Sequence, residues 1–137
     1  MATWTTPKTD WTANDRFNIT DFNRIKNNLQ YLHDESEVIY GEYSISSMGS
    51  DISSYAGFWD VSKFNIIEQN LITINTHMNG DDIGQALTFY TNGVFISYGE
   101  LNRIEGVSAR LKSIIDGWRE AMATLPFRMG AKEALRV

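Results

Sequence analysis

The side chains that could carry out catalysis are few and stand apart from one another. His33 and His77 are the two histidines of the chain, too few for a convincing metal site, and we expect both to be exposed at helix ends. The stretch "NGDDIG" (79–84) lacks the alternating acidic ligands and distal Glu of an EF-hand calcium loop. Asp81 and Asp82 are adjacent rather than opposed, which does not suit glycoside hydrolysis. The sequence contains no phosphate loop, dinucleotide fingerprint or nucleophile elbow. We therefore expect neither enzyme activity nor a cofactor.

Composition excludes further classes of function. The chain of 137 residues has no cysteine, which removes disulfides, zinc-thiolate sites and thiol nucleophiles. Twelve basic residues are scattered among seventeen acidic ones, so duplex nucleic acid is not an expected partner. No apolar run approaches the ~18 residues of a membrane span. The N-terminus lacks the basic and apolar regions of a secretory signal, so we expect the protein to begin in the cytoplasm of the cell that makes it.

Apolar periodicity predicts three main helices in one small domain. The first is expected over 20–33, with Thr20 as N-cap, an extension towards Tyr40 and Gly41 as the stop. A Ser-rich and Gly-rich loop over 44–57 follows. The second helix is expected over 62–78 and is apolar on more than one side.

The third helix has the clearest start signal. Ser97 and Glu100 have the S-x-x-E spacing of a capping box. The apolar stripe then runs for roughly 25 residues, and Pro126 is expected to end the helix.

Two non-helical features complete the predicted fold. Residues 87–97, "LTFYTNGVFIS", contain Tyr90 and Phe95 on either side of an Asn-Gly pair, which is typical of a type I′ β-hairpin. Residues 1–16 show no helical periodicity but contain Trp4 and Trp11. Since exposed indoles are unfavourable, we expect an extended arm that packs on this subunit or on a neighbour; a disordered tail is the alternative. The predicted fold class is mainly α, with a helical domain over 17–137 that includes the hairpin.

Three helix starts resemble one another: "DFNRIKNNLQYL", "KFNIIEQNLITI" and "ELNRIEGVSARL", at intervals of 42 and 37 residues. Amphipathic helices share hydrophobic positions by necessity, but that does not explain an Asn at the same place three times. Asn is a mediocre helix former whose side chain competes for backbone hydrogen bonds. We expect Asn23, Asn65 and Asn102 to satisfy backbone groups of the segment entering each helix, or of an adjacent connection.

A longer stretch resembles a known family. "WTTPKTDWTANDRFNITDFNRIKNNLQYL" is similar to a segment that recurs in structural proteins of tailed bacteriophages infecting Gram-positive bacteria, with the pattern W-x-x-P-x-T-D-W, a short linker, then D-[FLY]-N-R-I-x-x-N-x-x-Y-L. "YGELNRIE" (98–105) resembles a second signature of these proteins. The positions that carry the first pattern are Trp4, Pro7, Thr9, Asp10, Trp11, Asp21, Phe22, Asn23, Arg24, Ile25, Asn28, Tyr31 and Leu32.

The resemblance implies a non-enzymatic virion component of the tail, baseplate or fibre region, whose partners are copies of itself and other phage structural proteins. A capsid decoration or head-fibre protein is the alternative within that class. A carbohydrate-binding module is another alternative, because many aromatic residues fall in or beside loops. The same aromatics suit a protein interface, or a small core that uses them for bulk. Trp4, Trp11 and the hairpin are the expected contact surfaces. We expect Arg24 and Arg103 to form charge-assisted hydrogen bonds that fix helix ends; the middle copy has Ile66 instead.

Overall fold

The computed structural model describes residues 3–54, 61–78 and 97–136, with side-chain surroundings described as far as residue 121 and not for Val61. This part of the chain is mainly helical and contains three helices and no strand. The helices are α1 (Ile19–Tyr40), α2 (Val61–His77) and α3 (Tyr98–Arg136). The predicted hairpin, with Tyr90 and Phe95, lies outside the described residues.

Helix α1 begins at a different cap from the one expected. The N-cap is Asn18, whose Oδ1 accepts a hydrogen bond from the Asp21 backbone N–H at 3.2 Å. The Asp21 carboxylate in turn accepts from the Asn18 N–H at 3.0 Å, which completes a capping box. Thr20 lies in the first turn, so the prediction of Thr20 as N-cap was wrong. Gly41, with φ of 101°, ends the helix as predicted, since that backbone conformation favours glycine.

Helix α3 begins as expected and continues further than expected. The Ser97 hydroxyl oxygen accepts from the Glu100 N–H at 3.3 Å, which is the serine half of the predicted capping box. The helix does not end at Pro126 but reaches Arg136. Proline removes one backbone donor at a cost of about 3 kcal/mol, and the residues that follow, "AKEALR", are strong helix formers that favour continuation.

The three helices run in the same direction. Arg24 near the start of α1 binds Glu105 near the start of α3, and Tyr43, just after α1, stacks on His77 at the end of α2. Near their N-termini, the rings of Phe22 in α1 and Phe64 in α2 lie 5.4 Å apart, edge to face. At the other end, Tyr40 in α1 contacts Trp118 in α3 with ring centroids 6.3 Å apart. The described part of the connection after α1 returns along the bundle, since Ile52 binds Asn23 near the start of α1.

The core is formed by equivalent positions of the three repeated helix starts. All of these side chains are almost fully buried and belong to one hydrophobic cluster: Phe22, Phe64 and Leu101; Ile25, Ile67 and Ile104; Leu32, Ile74 and Leu111. Along each helix the second position follows the first by three residues, and the third follows the second by seven. The sequence repeat is therefore a structural repeat, with one helix per copy.

Candidate functional site

The non-helical N-terminal segment is held against the bundle by two asparagines. Asn28 of α1 accepts from the Thr5 N–H at 2.9 Å through Oδ1 and donates to the Thr5 carbonyl at 2.8 Å through Nδ2. Asn102 of α3 holds Trp11 in the same way, at 2.8 and 3.0 Å. A carboxamide offers one acceptor and two donors, so it can pair with both backbone groups of a single residue.

The segment between α1 and α2 is held by the same device. Asn70 of α2 pairs with the N–H and carbonyl of Ser46 at 2.9 and 2.8 Å. Asn23 of α1 pairs with both backbone groups of Ile52, each at 2.9 Å. In both segments the two anchored residues are six positions apart. We call these four side chains, Asn23, Asn28, Asn70 and Asn102, the asparagine clamps.

The structure shows what the recurring asparagines do. Asn23 and Asn102 satisfy backbone groups, as expected, although neither binds the segment that enters its own helix. Asn23 binds the connection that follows α1, and Asn102 binds the segment that precedes α1. Asn65, at the equivalent position of α2, also takes part in an interaction.

Glu105 is the centre of a buried polar cluster. Glu105 is only 1% exposed. It accepts from the Trp11 indole Nε1 at 2.5 Å, from the Lys8 backbone N–H at 3.1 Å, and from Arg24 Nε and Nη2 at 2.8 and 2.9 Å. Arg24 also donates to Asp21 at 2.9 Å. Hydrogen bonding to Glu105, more than any other cause, raises the pKa of Arg24. A paired charge thus ties together α1, α3 and the N-terminal segment.

A second pair repeats this arrangement between α3 and α2. Arg103 donates to the buried Glu68, and its Nε donates to Glu100 at 3.1 Å. Burial raises the pKa of Glu68, although the nearby Arg103 guanidinium opposes the shift. Arg24 and Arg103 are equivalent in the repeat, as are their partners Glu105 and Glu68.

The third equivalent pair would join α2 to α1, and both of its members have changed. Ile66 stands where the arginine would be, and Lys26 stands where the glutamate would be. Lys26 Nζ instead binds Asp51 at 2.7 Å and the Gly49 carbonyl at 3.2 Å, both in the segment after α1. Loss of the arginine without loss of the glutamate would leave an uncompensated buried carboxylate, which explains why the two positions differ together.

Both tryptophans of the N-terminal segment pack on the helices of their own chain. Trp11 is 4% exposed and belongs to the core cluster. Trp4 is partly buried, with its ring 5.7 Å from that of Tyr31 and the Lys112 ammonium 5.6 Å from its centroid. Trp11 is therefore accessible to another molecule only if the segment leaves the bundle.

The histidines do not both lie where expected. His77 is exposed at the end of α2, as predicted, and its ring stacks on Tyr43 at 4.0 Å. His33 is partly buried within α1, so its expected exposure was wrong; its Nε2 lies 2.7 Å from the Tyr43 carbonyl and its Nδ1 lies 3.0 Å from Asp34. Ligand atoms of His33, Asp34 and Glu37 lie within 4.8 Å of one another. Because Nε2 of His33 is held by the Tyr43 carbonyl and Glu37 accepts from the Tyr43 N–H, the group anchors the segment after α1.

Sequence reasoning did not single out Glu68, Asn70 or Glu105. Two signals were available in the repeat. In the first and second copies, another asparagine follows the recurring asparagine by five residues. In the second and third copies, a glutamate follows the recurring asparagine by three residues. No matching family model, curated protein or solved structure was found for this chain. None of the described helices has an apolar stretch long enough to cross a membrane.

Proposed function

We propose that this chain is a non-enzymatic structural protein of a bacteriophage particle, a building block or adaptor of the tail, baseplate or fibre attachment. The proposal rests on the sequence resemblance. Its support from the structure is the role of the pattern residues, several of which join the N-terminal segment to the bundle. Trp4 packs on Tyr31, Asn28 binds Thr5, and the Arg24 guanidinium lies 5.9 Å from the ring of Trp11. The pattern therefore describes how a segment is docked, which is a property of a scaffold.

The mode of docking also suits an assembly protein. The asparagine clamps recognise backbone groups, as β-strand addition does, and leave the side chains of the bound segment to decide specificity. In a symmetric assembly, residues 1–16 would act as an extended arm that occupies the equivalent site of a neighbour. The 87–97 hairpin is the second proposed contact surface, towards other phage structural proteins.

Purified particles provide the direct test. We expect mass spectrometry to detect the chain in virions, and immunogold labelling to place it in the tail or baseplate region. Deletion of its gene should abolish particle assembly while other phage genes are expressed normally. Labelling confined to the capsid exterior would favour a decoration or head-fibre protein instead. Absence from particles, with assembly intact after deletion, would refute the proposal.

A further inference from the structure

Helix α3 carries one stripe of core-type positions along nearly its whole length. The first part of the stripe is buried in the bundle: Leu101, Ile104, Ser108, Leu111 and Ile115. The same alternation of three and four residues continues in the sequence through Trp118, Met122, Leu125 and Met129. This spacing is the heptad pattern by which helices pack side by side at a shallow angle.

The other two helices end before the stripe does. Tyr40, the last residue of α1, contacts Trp118, which marks the level on α3 that α1 reaches. His77 ends α2. Helix α3 continues from Trp118 to Arg136, about 27 Å at 1.5 Å per residue. The second half of the stripe therefore belongs to the part of α3 that continues beyond the last residue of α1.

The point where the stripe leaves the bundle is exposed and apolar. Trp118 is 46% exposed and Val38 is 69% exposed. An open depression beside Trp118 is lined by Ile114, Gly117 and Ala121. A large exposed indole beside an apolar depression marks an interaction site, since burying it is favourable.

We propose that this surface, Trp118 together with the continuing α3 stripe, docks on the same surface of a second copy of the chain. The two α3 helices then lie antiparallel about a twofold axis. This inference deepens the proposed function and rests on it in one respect, namely that a building block associates with itself. An isologous contact closes on itself, so it adds a dimer without open-ended growth.

The distribution of charge favours a second copy of the chain as the partner, with its α3 antiparallel to the first. Residues 34–42, at the end of α1, contain four carboxylates and no basic residue. Glu35 is buried and pairs with Arg119 of the same chain, which leaves Asp34, Glu37 and Glu42 to face a second copy. Residues 127–137, at the end of α3, contain three basic residues and one acidic residue. An antiparallel pair places the basic end of each α3 near the acidic end of the other copy's α1. A parallel pair would bring the two basic ends together, which is unfavourable.

The first experiment measures the mass of the full chain by light scattering across a dilution series. We expect a dimer whose dissociation constant rises about tenfold or more in Trp118→Gln, since buried aromatic residues dominate interface energies. Tyr98→Gln is the matched control, because Tyr98 is 51% exposed on the same helix but lies at its N-terminal end. A monomer at all concentrations, or a dimer equally stable in Trp118→Gln, would overturn the proposal.

The second experiment tests the direction. The chain has no cysteine, so Val137→Cys introduces a single thiol. In the antiparallel pair the two thiols are far beyond the ~7 Å that a disulfide can bridge, and we expect crosslinking no faster than in the Trp118→Gln background. Rapid crosslinking that depends on Trp118 would show a parallel pair and overturn the arrangement. Arg128→Glu combined with Lys132→Glu should weaken the dimer, and an unchanged dimer would contradict the charge argument.

These measurements are independent of the test on particles. A dimer that depends on Trp118 in a chain absent from virions would refute the phage role and retain the interface. A virion protein that is monomeric in solution would retain the phage role and refute the interface.

Discussion

Replacement of Asn102 by alanine tests the asparagine clamps most directly. The variant loses two hydrogen bonds, of 2.8 and 3.0 Å, to the backbone of the buried Trp11. At about 1 kcal/mol net for each bond, with up to about 0.7 kcal/mol regained from the better helix propensity of alanine, the loss is at least about 1 kcal/mol. If water only partly reaches the Trp11 N–H and carbonyl that lose their partner, the loss of stability rises towards about 3 kcal/mol.

Asn102→Asp distinguishes paired hydrogen bonding from simple packing. Aspartate has nearly the same shape and keeps the acceptor for the Trp11 N–H. It loses the donor, however, and places a carboxylate oxygen against the Trp11 carbonyl and one helical turn from Glu105. We therefore expect Asn102→Asp to lose at least as much stability as Asn102→Ala near neutral pH.

Urea unfolding followed by tryptophan fluorescence gives both values. Gln69→Ala is the control, because Gln69 is exposed on α2 and its replacement should change the free energy of unfolding by less than about 0.5 kcal/mol. If Asn102→Ala were no more destabilising than Gln69→Ala, or if Asn102→Asp were as stable as the wild type, the clamps would not contribute to stability as argued.

Three further perturbations follow from the buried groups. Glu105→Gln removes the charge that faces Arg24 and should destabilise the chain by about 3 kcal/mol, measured by urea unfolding. Partial burial lowers the pKa of His33, but its hydrogen bonds to Tyr43 and Asp34 outweigh this and raise it overall. Protonated His33 therefore stabilises the fold fully below a pH of about 6.5, and this contribution is lost as the pH rises through the higher folded-state pKa. We expect urea titrations to show that His33→Asn is more destabilising at acidic than at alkaline pH. Leu71→Ala in the fully buried core should cost about 2–5 kcal/mol, measured by thermal or urea unfolding.

Each of these expectations has a contradicting outcome. A Glu105→Gln variant as stable as the wild type would show that the charge pair is dispensable. An identical cost of His33→Asn at acidic and alkaline pH would show that His33 does not titrate between them. Ile72 is partly buried on the same helix as Leu71, so an equal loss in Ile72→Ala would show that the core is not centred on Leu71.

Local signals in the sequence were sufficient to predict the three helices but not to predict all of their first and last residues. Gly41 was predictable as the end of α1 because the positive φ required there favours glycine. The start of α1 was not, because Asn18 and Thr20 are both good N-caps and the path of the incoming chain selects between them. Pro126 was misread because a proline penalty of about 3 kcal/mol can be outweighed by the helix around it.

The sequence by itself determined that this chain has three similar amphipathic helices, each with an asparagine near its start, separated by segments without helical periodicity. Such information is local, since a hydrophobic stripe needs only the 3.6-residue period of its own helix. Tertiary structure alone decided that Trp11 meets Glu105, 94 positions away. It also decided that Asn23 and Asn102 clamp segments other than the ones that enter their own helices. The physical reason is that burial of apolar surface is non-directional, whereas hydrogen bonds and ion pairs depend on how the parallel helices are set against one another.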